Sequence, residues 1–270
     1  MPPQVDMLSA LVNDLKNLGK PYKIIVAMKG LDTGSGNPIR FSLKDAILVR
    51  SDLPPADYVV KDRKRGLYKR SLNPVTTTAS DPNDLMKDFA NINFRRNWMF
   101  VDMQLRGHAF RFVTTHLDWI LTQQDQLAEL LEVVGNTPLP VIVTGDFNHP
   151  YEDYPPLAKA GYRDAWITGD GATCCQLDMK DSTPMRNEKI DLILLRGGVS
   201  ATSANLVGAM AAPCSGCTLW ASDHAGVVAG LVFTSTFNFG VVSLLIAIGG
   251  LLLFAGLLLG VSRWLRRGRQ

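Results

Sequence analysis

The chain has 270 residues, of which 46% are hydrophobic, and this length accommodates one large domain or two small ones. Its formal net charge is +3, but four of its 28 lysines and arginines follow a very apolar segment near the end of the chain: Arg263, Arg266, Arg267 and Arg269. The remaining 24 basic residues face 25 acidic residues, and this balance of −1 argues against a general polyanion-binding protein.

Helices and strands alternate along residues 1–234. Asp6 is placed to cap an amphipathic helix that ends at Gly19, and Thr122 is placed to cap a second one that ends at Gly135. Seven strands are predicted from apolar or alternating runs: Ile24 to Met28, Ala46 to Arg50, Trp98 to Leu105, Ala109 to Thr115, Val141 to Thr144, Ile190 to Leu195 and Gly226 to Val232. This order indicates one layered α/β domain.

One segment of that domain is strongly basic. Lys61 to Arg70 contains six basic residues and a single acid, Asp62. Two interpretations are open, namely a solvated loop, which such runs usually form, and a phosphate-facing edge of a site.

The four cysteines are Cys174, Cys175, Cys214 and Cys217. Four cysteines allow three pairings, and the sequence does not select among them. A bridge between the two close pairs is one option in an oxidising compartment. The Cys214-x-x-Cys217 spacing also occurs in zinc sites. The adjacent Cys174 and Cys175 are poorly suited as the other two ligands, because both of their thiolates would have to reach one tetrahedral ion.

The C-terminal segment is predicted to cross a membrane. From Phe239 to Val261 the chain runs 23 residues without a charge, which is enough to cross a hydrocarbon core of about 30 Å at about 1.5 Å per residue. Trp264 and the four arginines fit a cytoplasmic boundary. We therefore expect a transmembrane helix at 239–261, a basic cytoplasmic tail at 262–270 and an extracytoplasmic domain.

Four polar patterns each lie at the end of a predicted strand: Thr114-Thr115-His116-Leu117, Thr144-Gly145-Asp146-Phe147-Asn148, Lys189-Ile190-Asp191-Leu192 and Ser222-Asp223-His224. Polar groups placed repeatedly at strand ends assemble a site at one rim of a sheet. Singly, each pattern is weak, since Asp146 and Asn148 could simply form an Asx turn. Asp191 lies inside an apolar strand, and a buried carboxylate requires a hydrogen-bonding or ion-pair partner.

Taken together and in this order, the four patterns resemble the endonuclease/exonuclease/phosphatase superfamily, which includes pancreatic-type deoxyribonucleases, abasic-site endonucleases, bacterial sphingomyelinases and inositol polyphosphate 5-phosphatases. The resemblance extends from about Leu8 to Leu231 and includes the segments Asp45 to Leu48 and Gly161 to Trp166. It implies a deoxyribonuclease-like four-layer α/β/β/α sandwich.

The resemblance also implies roles for individual residues. Asp146 would orient or deprotonate the attacking water, and Asn148 would fix the phosphate or that water. His224 would bind the scissile phosphate, with Asp191 holding its imidazole in one tautomer. His116 would assist the leaving oxygen. Asp223 would contribute to a divalent metal site for Mg²⁺, or for Mn²⁺ or Ca²⁺, because hard cations prefer oxygen ligands.

Two features of the family pattern are absent. In the family, a strand ending near an asparagine and a strand carrying the main glutamate ligand precede the helix that here starts at Asp6. The first glutamate of this chain is Glu129, and no secretory signal precedes the first helix. We therefore expect the chain to be N-terminally incomplete and catalytically impaired as written.

The sequence thus favours a membrane-anchored, metal-dependent hydrolase of a phosphodiester or phosphomonoester bond. The alternative is a catalytically inactive pseudoenzyme that recognises phosphate or acts as a scaffold. Nucleic acid, a phospholipid headgroup and an inositol phosphate all stay open as substrates.

Overall fold

A computed structural model of the chain describes residues 6–32, 42–71, 93–166, 171–214 and 217–234. The predicted membrane helix at 239–261 and the basic tail at 262–270 lie outside these residues. Among the helices that are described, none has the length and apolar character needed to span a membrane.

The described residues form three α-helices, one short 3-10 helix and thirteen strands. The helices are α1 (Met7–Asn17), α2 (Gln123–Gly135) and α3 (Pro155–Lys159), with the 3-10 turn at Tyr151–Asp153. The strands are β1 (Tyr22–Asp32), β2 (Ser42–Arg50), β3 (Tyr58–Leu67), β4 (Asn93–Phe94), β5 (Asn97–Leu105), β6 (His108–His116), β7 (Val141–Asp146), β8 (Arg163–Asp164), β9 (Asp191–Arg196), β10 (Val199–Val207), β11 (Ala212–Cys214), β12 (Cys217–Leu219) and β13 (Gly226–Phe233). All seven predicted strands and both predicted helices are confirmed.

The largest sheet has six strands in the order β3-β5-β6-β7-β9-β8. The predicted hairpin of β5 and β6 turns at Arg106 and Gly107, both with positive φ, which is the backbone that a tight two-residue hairpin turn requires. Strands β6 and β7 are parallel, whereas β9 runs antiparallel to β7. The C-terminal ends of β6 and β7 therefore meet the N-terminal end of β9 at one rim.

The two faces of this sheet are covered by different layers. One face packs against α2 and α3 through Leu127, Leu130, Val134 and Leu157. The opposite face packs against β1 and β2 and against the β10–β13 pair, which belong to separate small sheets. The short strand β7 is apolar along its length because Val141 and Val143 face the helices while Ile142 faces the second strand layer.

The N-terminal helix lies on the second strand layer. Asp6 caps α1 as predicted, since its carboxylate accepts the backbone N–H of Leu8 at 3.2 Å. The helix contacts β1, but none of its side chains is fully buried. The described elements thus form a mixed α/β fold dominated by sheet.

The basic run from Lys61 to Arg70 is not a solvated loop, because most of it forms β3, an edge strand of the large sheet. Two arginines of this strand reach the facing layer: Arg63 donates to the carbonyl of Ile25 at 2.9 Å, and Arg65 donates to that of Ala27. Charged side chains are a common feature of edge strands, where they discourage pairing with another chain.

The disulfides lie within the two cysteine pairs rather than between them. Cys174 is bonded to Cys175, and Cys214 is bonded to Cys217. Both bridges therefore close very short segments of chain.

Candidate active site

The candidate site lies at the rim where β6, β7 and β9 end or begin. Asp146 is the last residue of β7, and in the sheet it pairs with His116 on one side and with Asp191 on the other. His224 precedes β13, and the backbone N–H of its neighbour Ala225 donates to the carbonyl of Thr173. Strand pairing thus places His116, Asp146 and Asp191 side by side. His224 joins them from the second strand layer.

His116 and Asp146 form the first histidine–carboxylate pair. Nε2 of His116 lies 3.2 Å from Oδ2 of Asp146, and both side chains are mostly buried. Burial opposes ionisation of Asp146, but the hydrogen bond and charge of His116 and the N–H of Asn148 outweigh it, so the pKa of this carboxyl is lowered below 3.8. Asp146 is therefore a stable anion at neutral pH.

The turn after β7 depends on local backbone geometry. Gly145 has φ +151°, and a Cβ atom there would lie 1.9 Å from the carbonyl oxygen of Thr115 in the neighbouring strand. Asn148 has φ +57°; its N–H donates to Asp146 at 2.8 Å, and its side-chain amide donates to the carbonyl of Leu117 at 2.7 Å. Asp146 and Asn148 therefore form the Asx turn that the sequence allows. This turn holds Asn148 next to Leu117, the residue that follows β6.

His224 and Asp191 form the second pair. Nδ1 of His224 lies 2.8 Å from Oδ2 of Asp191. This hydrogen bond raises the pKa of His224 above 6.5 despite the opposing effect of burial, and the charges of Asp146 and Asp223 act in the same direction. The imidazole is thereby biased toward its cationic form, with Nε2 left to contact a ligand.

Two buried polar residues that the sequence analysis did not single out support this rim. The hydroxyl of Thr173 accepts the N–H groups of Ile190 and Asp191 at 3.2 and 3.1 Å, which fixes the start of β9. Asp118, two residues after His116, is fully buried and binds Arg96 at 3.0 Å and the amide of Gln126 at 2.7 Å. Neither residue has a distinctive local pattern, because the residues that they bind lie 8 to 22 positions away in the sequence.

In the described part of the chain, the residues that could hold a metal do not include Asp223, the ligand that the sequence predicted. Ligand atoms of Asp146, Asp191 and His224 all lie within 4.8 Å of one another, so this group could hold a cation. Asp223 is exposed and belongs to no such group among the described residues. Cys175 also lies near His224, with its Sγ 4.0 Å from Nε2, but Cys174 and Cys175 are bonded to each other and so offer no thiolate to a metal.

Two openings border the rim. A cleft of about 210 Å³ runs beside Asp146 and Asp191 toward the start of β13. A cavity of about 10 Å³, room for one water molecule, lies beside His116 and is also lined by Asp45, Arg95 and Asn97. Asn97 donates to Asp45 at 2.6 Å, while its buried Oδ1 has no hydrogen-bond partner.

Known proteins resemble the chain in sequence pattern and in fold. The family model described as "Endonuclease/Exonuclease/phosphatase family" matches residues 40–224. No curated protein matches the chain. Three solved structures have a similar fold, and each alignment covers 83% of this chain and 82% of the other chain. A mannosyl-6-phosphatase of Bacteroides thetaiotaomicron and TDP2 of D. rerio in complex with a single-strand DNA product are each 17% identical to this chain, with a TM-score of 0.54. A functionally unknown conserved protein of Enterococcus faecalis is 18% identical, with a TM-score of 0.56.

Proposed function

The chain belongs to the endonuclease/exonuclease/phosphatase family, and we propose that it hydrolyses a phosphoester bond at the rim described above. The observation that carries the proposal is the convergence of two histidine–carboxylate pairs, His116 with Asp146 at 3.2 Å and His224 with Asp191 at 2.8 Å. Asp146 and Asp191 are direct partners across β7 and β9, so the two pairs are adjacent. Such a rim offers cationic groups to a phosphate and carboxylates to a water molecule.

His224 binds the scissile phosphate in this proposal. Asp191 holds Nδ1, so the proton on Nε2 is available to a phosphate oxygen. A cationic donor stabilises the negative charge that builds up on the phosphoryl oxygens as the bond breaks. The raised pKa of His224 supports this role, because the cationic form persists to a higher pH than in an ordinary imidazole.

Asp146 orients the attacking water, with His116 beside it. Because its pKa is lowered, the Asp146 carboxylate is a weak base at neutral pH, which favours orientation of the water over outright proton removal. Asn148 is held against the same turn by its two hydrogen bonds and helps to position the phosphate or the water. His116 is placed to assist the leaving oxygen.

A divalent cation, Mg²⁺ or else Mn²⁺ or Ca²⁺, fits the oxygen ligands at this rim. The carboxylates of Asp146 and Asp191 would hold it, and Asp223 remains a proposed additional ligand. When bound, such an ion would neutralise the negative charge that develops on the phosphoryl oxygens during the reaction.

We also propose the four-layer α/β/β/α arrangement for the domain, with α1 as the outer helical layer on β1. The uncharged run from Phe239 to Val261 supports membrane attachment, and the arginines that follow it support a cytoplasmic C-terminus and an extracytoplasmic domain.

The test is a hydrolysis panel with Mg²⁺ that covers nucleic acids, sphingomyelin and inositol phosphates. One structural relative is a mannosyl-6-phosphatase and another is bound to a single-strand DNA product, so these names do not select one substrate class here. Turnover of one class that is lost in Asp146→Asn supports the proposal. Binding of phosphate esters without turnover of any of them favours the pseudoenzyme.

A further inference from the structure

The bond between the adjacent residues Cys174 and Cys175, called here the vicinal disulfide, lies beside the imidazole of His224. Sγ of Cys175 is 4.0 Å from Nε2 of His224, the ring nitrogen that faces the scissile phosphate in the proposed function. No step of the proposed hydrolysis uses this disulfide. A bond that thiols can break and oxidants can restore thus borders the phosphate-binding position.

Two backbone hydrogen bonds tie the segment of the vicinal disulfide to the segment of His224. The N–H of Ala225 donates to the carbonyl of Thr173 at 2.8 Å. The N–H of Gln176 donates to the carbonyl of Asp223, also at 2.8 Å. The vicinal disulfide lies between these two bonds on one segment, and His224 lies between them on the other. The backbone around the disulfide therefore sets the spacing of the bonds that hold the histidine.

The same segment also holds the carboxylate partner of His224. Oγ1 of Thr173, the residue before the vicinal disulfide, accepts the N–H groups of Ile190 and Asp191 at 3.2 and 3.1 Å. Thr173 is therefore bonded on one side to Asp191 and on the other to Ala225. The segment bridges the two residues whose hydrogen bond of 2.8 Å orients the imidazole.

The two sulfurs differ in how far each can move once the bond between them is broken. Cys174 is only 1% exposed, and its backbone N–H and carbonyl are both bonded to Glu188. Cys175 is partly exposed. Two thiols that share no bond have to lie farther apart than two bonded sulfurs. Reduction therefore displaces the side chain of Cys175, the one that lies next to His224.

We propose that the vicinal disulfide is a redox-modification site that controls the position of His224. With the bond intact, the backbone around it has few conformations and holds His224 against Asp191. Reduction frees the backbone and side chains of both cysteines, so the imidazole loses its fixed orientation toward the phosphate. This inference rests on the proposed function and adds its regulation. Disulfides persist in oxidising compartments, so in the proposed topology the hydrolase gains full activity only outside the cytoplasm.

The co-reactant is a dithiol, and the exchange is balanced in electrons and protons. One thiolate of the dithiol attacks Sγ of Cys175, the more exposed sulfur, and the bond to Cys174 breaks. Cys174 leaves as a thiolate and takes up a proton. The second thiolate of the dithiol then attacks its own sulfur in the mixed disulfide, and Cys175 leaves and is protonated in turn. The protein gains two electrons and two protons, and the dithiol becomes a disulfide.

The experiment compares the full-length protein, purified under oxidising conditions, with the same protein after treatment with dithiothreitol. Differential alkylation and mass spectrometry identify the bonded cysteines, and circular dichroism verifies the fold. We expect reduction to lower kcat/KM at least about tenfold, because a small misplacement of a functional group has effects on this scale. An unchanged kcat/KM, free thiols at Cys174 and Cys175 before reduction, or unfolding of the domain on reduction overturns the inference.

Paired variants assign the effect to one of the two disulfides. Cys174→Ser combined with Cys175→Ser should have the low kcat/KM of the reduced protein and no response to dithiothreitol. Cys214→Ser combined with Cys217→Ser removes the other disulfide, and it should keep both the activity of the oxidised protein and its loss on reduction. A response that survives in the first variant, or that disappears in the second, overturns the inference.

The NMR signal of the Nδ1 proton of His224 separates this inference from the proposed function. In detergent-solubilised protein with isotopically labelled histidine, the hydrogen bond to Asp191 shifts this signal downfield, and its absence in His224→Ala identifies it. If no phosphoester is hydrolysed, the proposed function fails, and this signal decides the inference alone. Loss or broadening of the signal on reduction of the folded protein supports the inference. The same signal in both redox forms overturns it.

Discussion

Nδ1 of His224 lies 2.8 Å from Oδ2 of Asp191, and this hydrogen bond is the main reason that the pKa of the imidazole is raised above 6.5. A group whose pKa is raised stays protonated to higher pH, so activity that needs the cation is lost as the pH rises through the raised pKa. Asp191→Asn removes the charged acceptor. We expect the alkaline limb of the kcat/KM profile to move to lower pH in this variant.

A matched control for that prediction is Asp153→Asn. Asp153 lies 3.4 Å from Nδ1 of His149, a histidine–carboxylate pair outside the proposed site. The control should leave the profile of the parent chain unchanged. An alkaline limb that does not move in Asp191→Asn would show that His224 is not the group whose protonation controls activity.

The close contact of β6 and β7 at Gly145 predicts a large loss of stability on substitution. In Gly145→Ala the added Cβ would lie 1.9 Å from the carbonyl oxygen of Thr115, so one of the two strands has to move. We expect a loss of about 3 kcal/mol or more in the free energy of unfolding, measured with urea. Gly107→Ala, where nothing lies within 4 Å of the new Cβ, should lose only about 1 to 2 kcal/mol from its positive φ. Equal losses would contradict the contact.

The buried ion pair of Asp118 and Arg96 predicts a second large effect. Asp118 is fully buried and Arg96 nearly so, so Asp118→Ala leaves a buried guanidinium without its carboxylate. Such changes cost about 3 to 5 kcal/mol. Asp125→Ala breaks a pair whose side chains are half exposed or more, and it should cost less than about 1 kcal/mol. Urea unfolding of both variants checks this, and a small loss for Asp118→Ala would contradict it.

The proposed topology predicts what a protease can reach. Short basic segments stay on the cytoplasmic side of a membrane span, and four arginines follow Val261. Protease added to intact cells or spheroplasts should therefore digest the domain and leave a tag after Gln270 intact. Protection of the domain together with loss of the tag would show the reverse orientation.

The rim could be predicted from the sequence because His116, Asp146 and Asp191 end or begin apolar strands, while His224 lies two residues before another. Val141 to Thr144 and Ile190 to Leu195 are apolar because both faces of their strands are buried, so the polar residues beside them stand out. The strand pattern also indicated that the Asp191 carboxylate requires a partner, whereas its pairing with His224 was implied by the family resemblance.

Other parts of the molecule could not be predicted because they depend on contacts between distant segments. The strand β3 was missed since Lys61 to Arg65 is charged on both faces, and two of its arginines bind carbonyls of β1. Thr173 supports the start of β9 from a segment without any periodic pattern. Asp223 has the sequence context of a ligand, but its exposed side chain lies outside the group formed by Asp146, Asp191 and His224.

The most direct test of the account compares Mg²⁺-dependent hydrolysis by the full-length protein with that of Asp146→Asn and His224→Ala made in the same full-length form. Substrate is supplied above KM, and circular dichroism verifies that each variant is folded. Loss of the water-orienting carboxylate or of the phosphate-binding cation should lower kcat by at least about a hundredfold. Turnover within a few fold of the parent in either folded variant would contradict the assignment of the rim as the catalytic site.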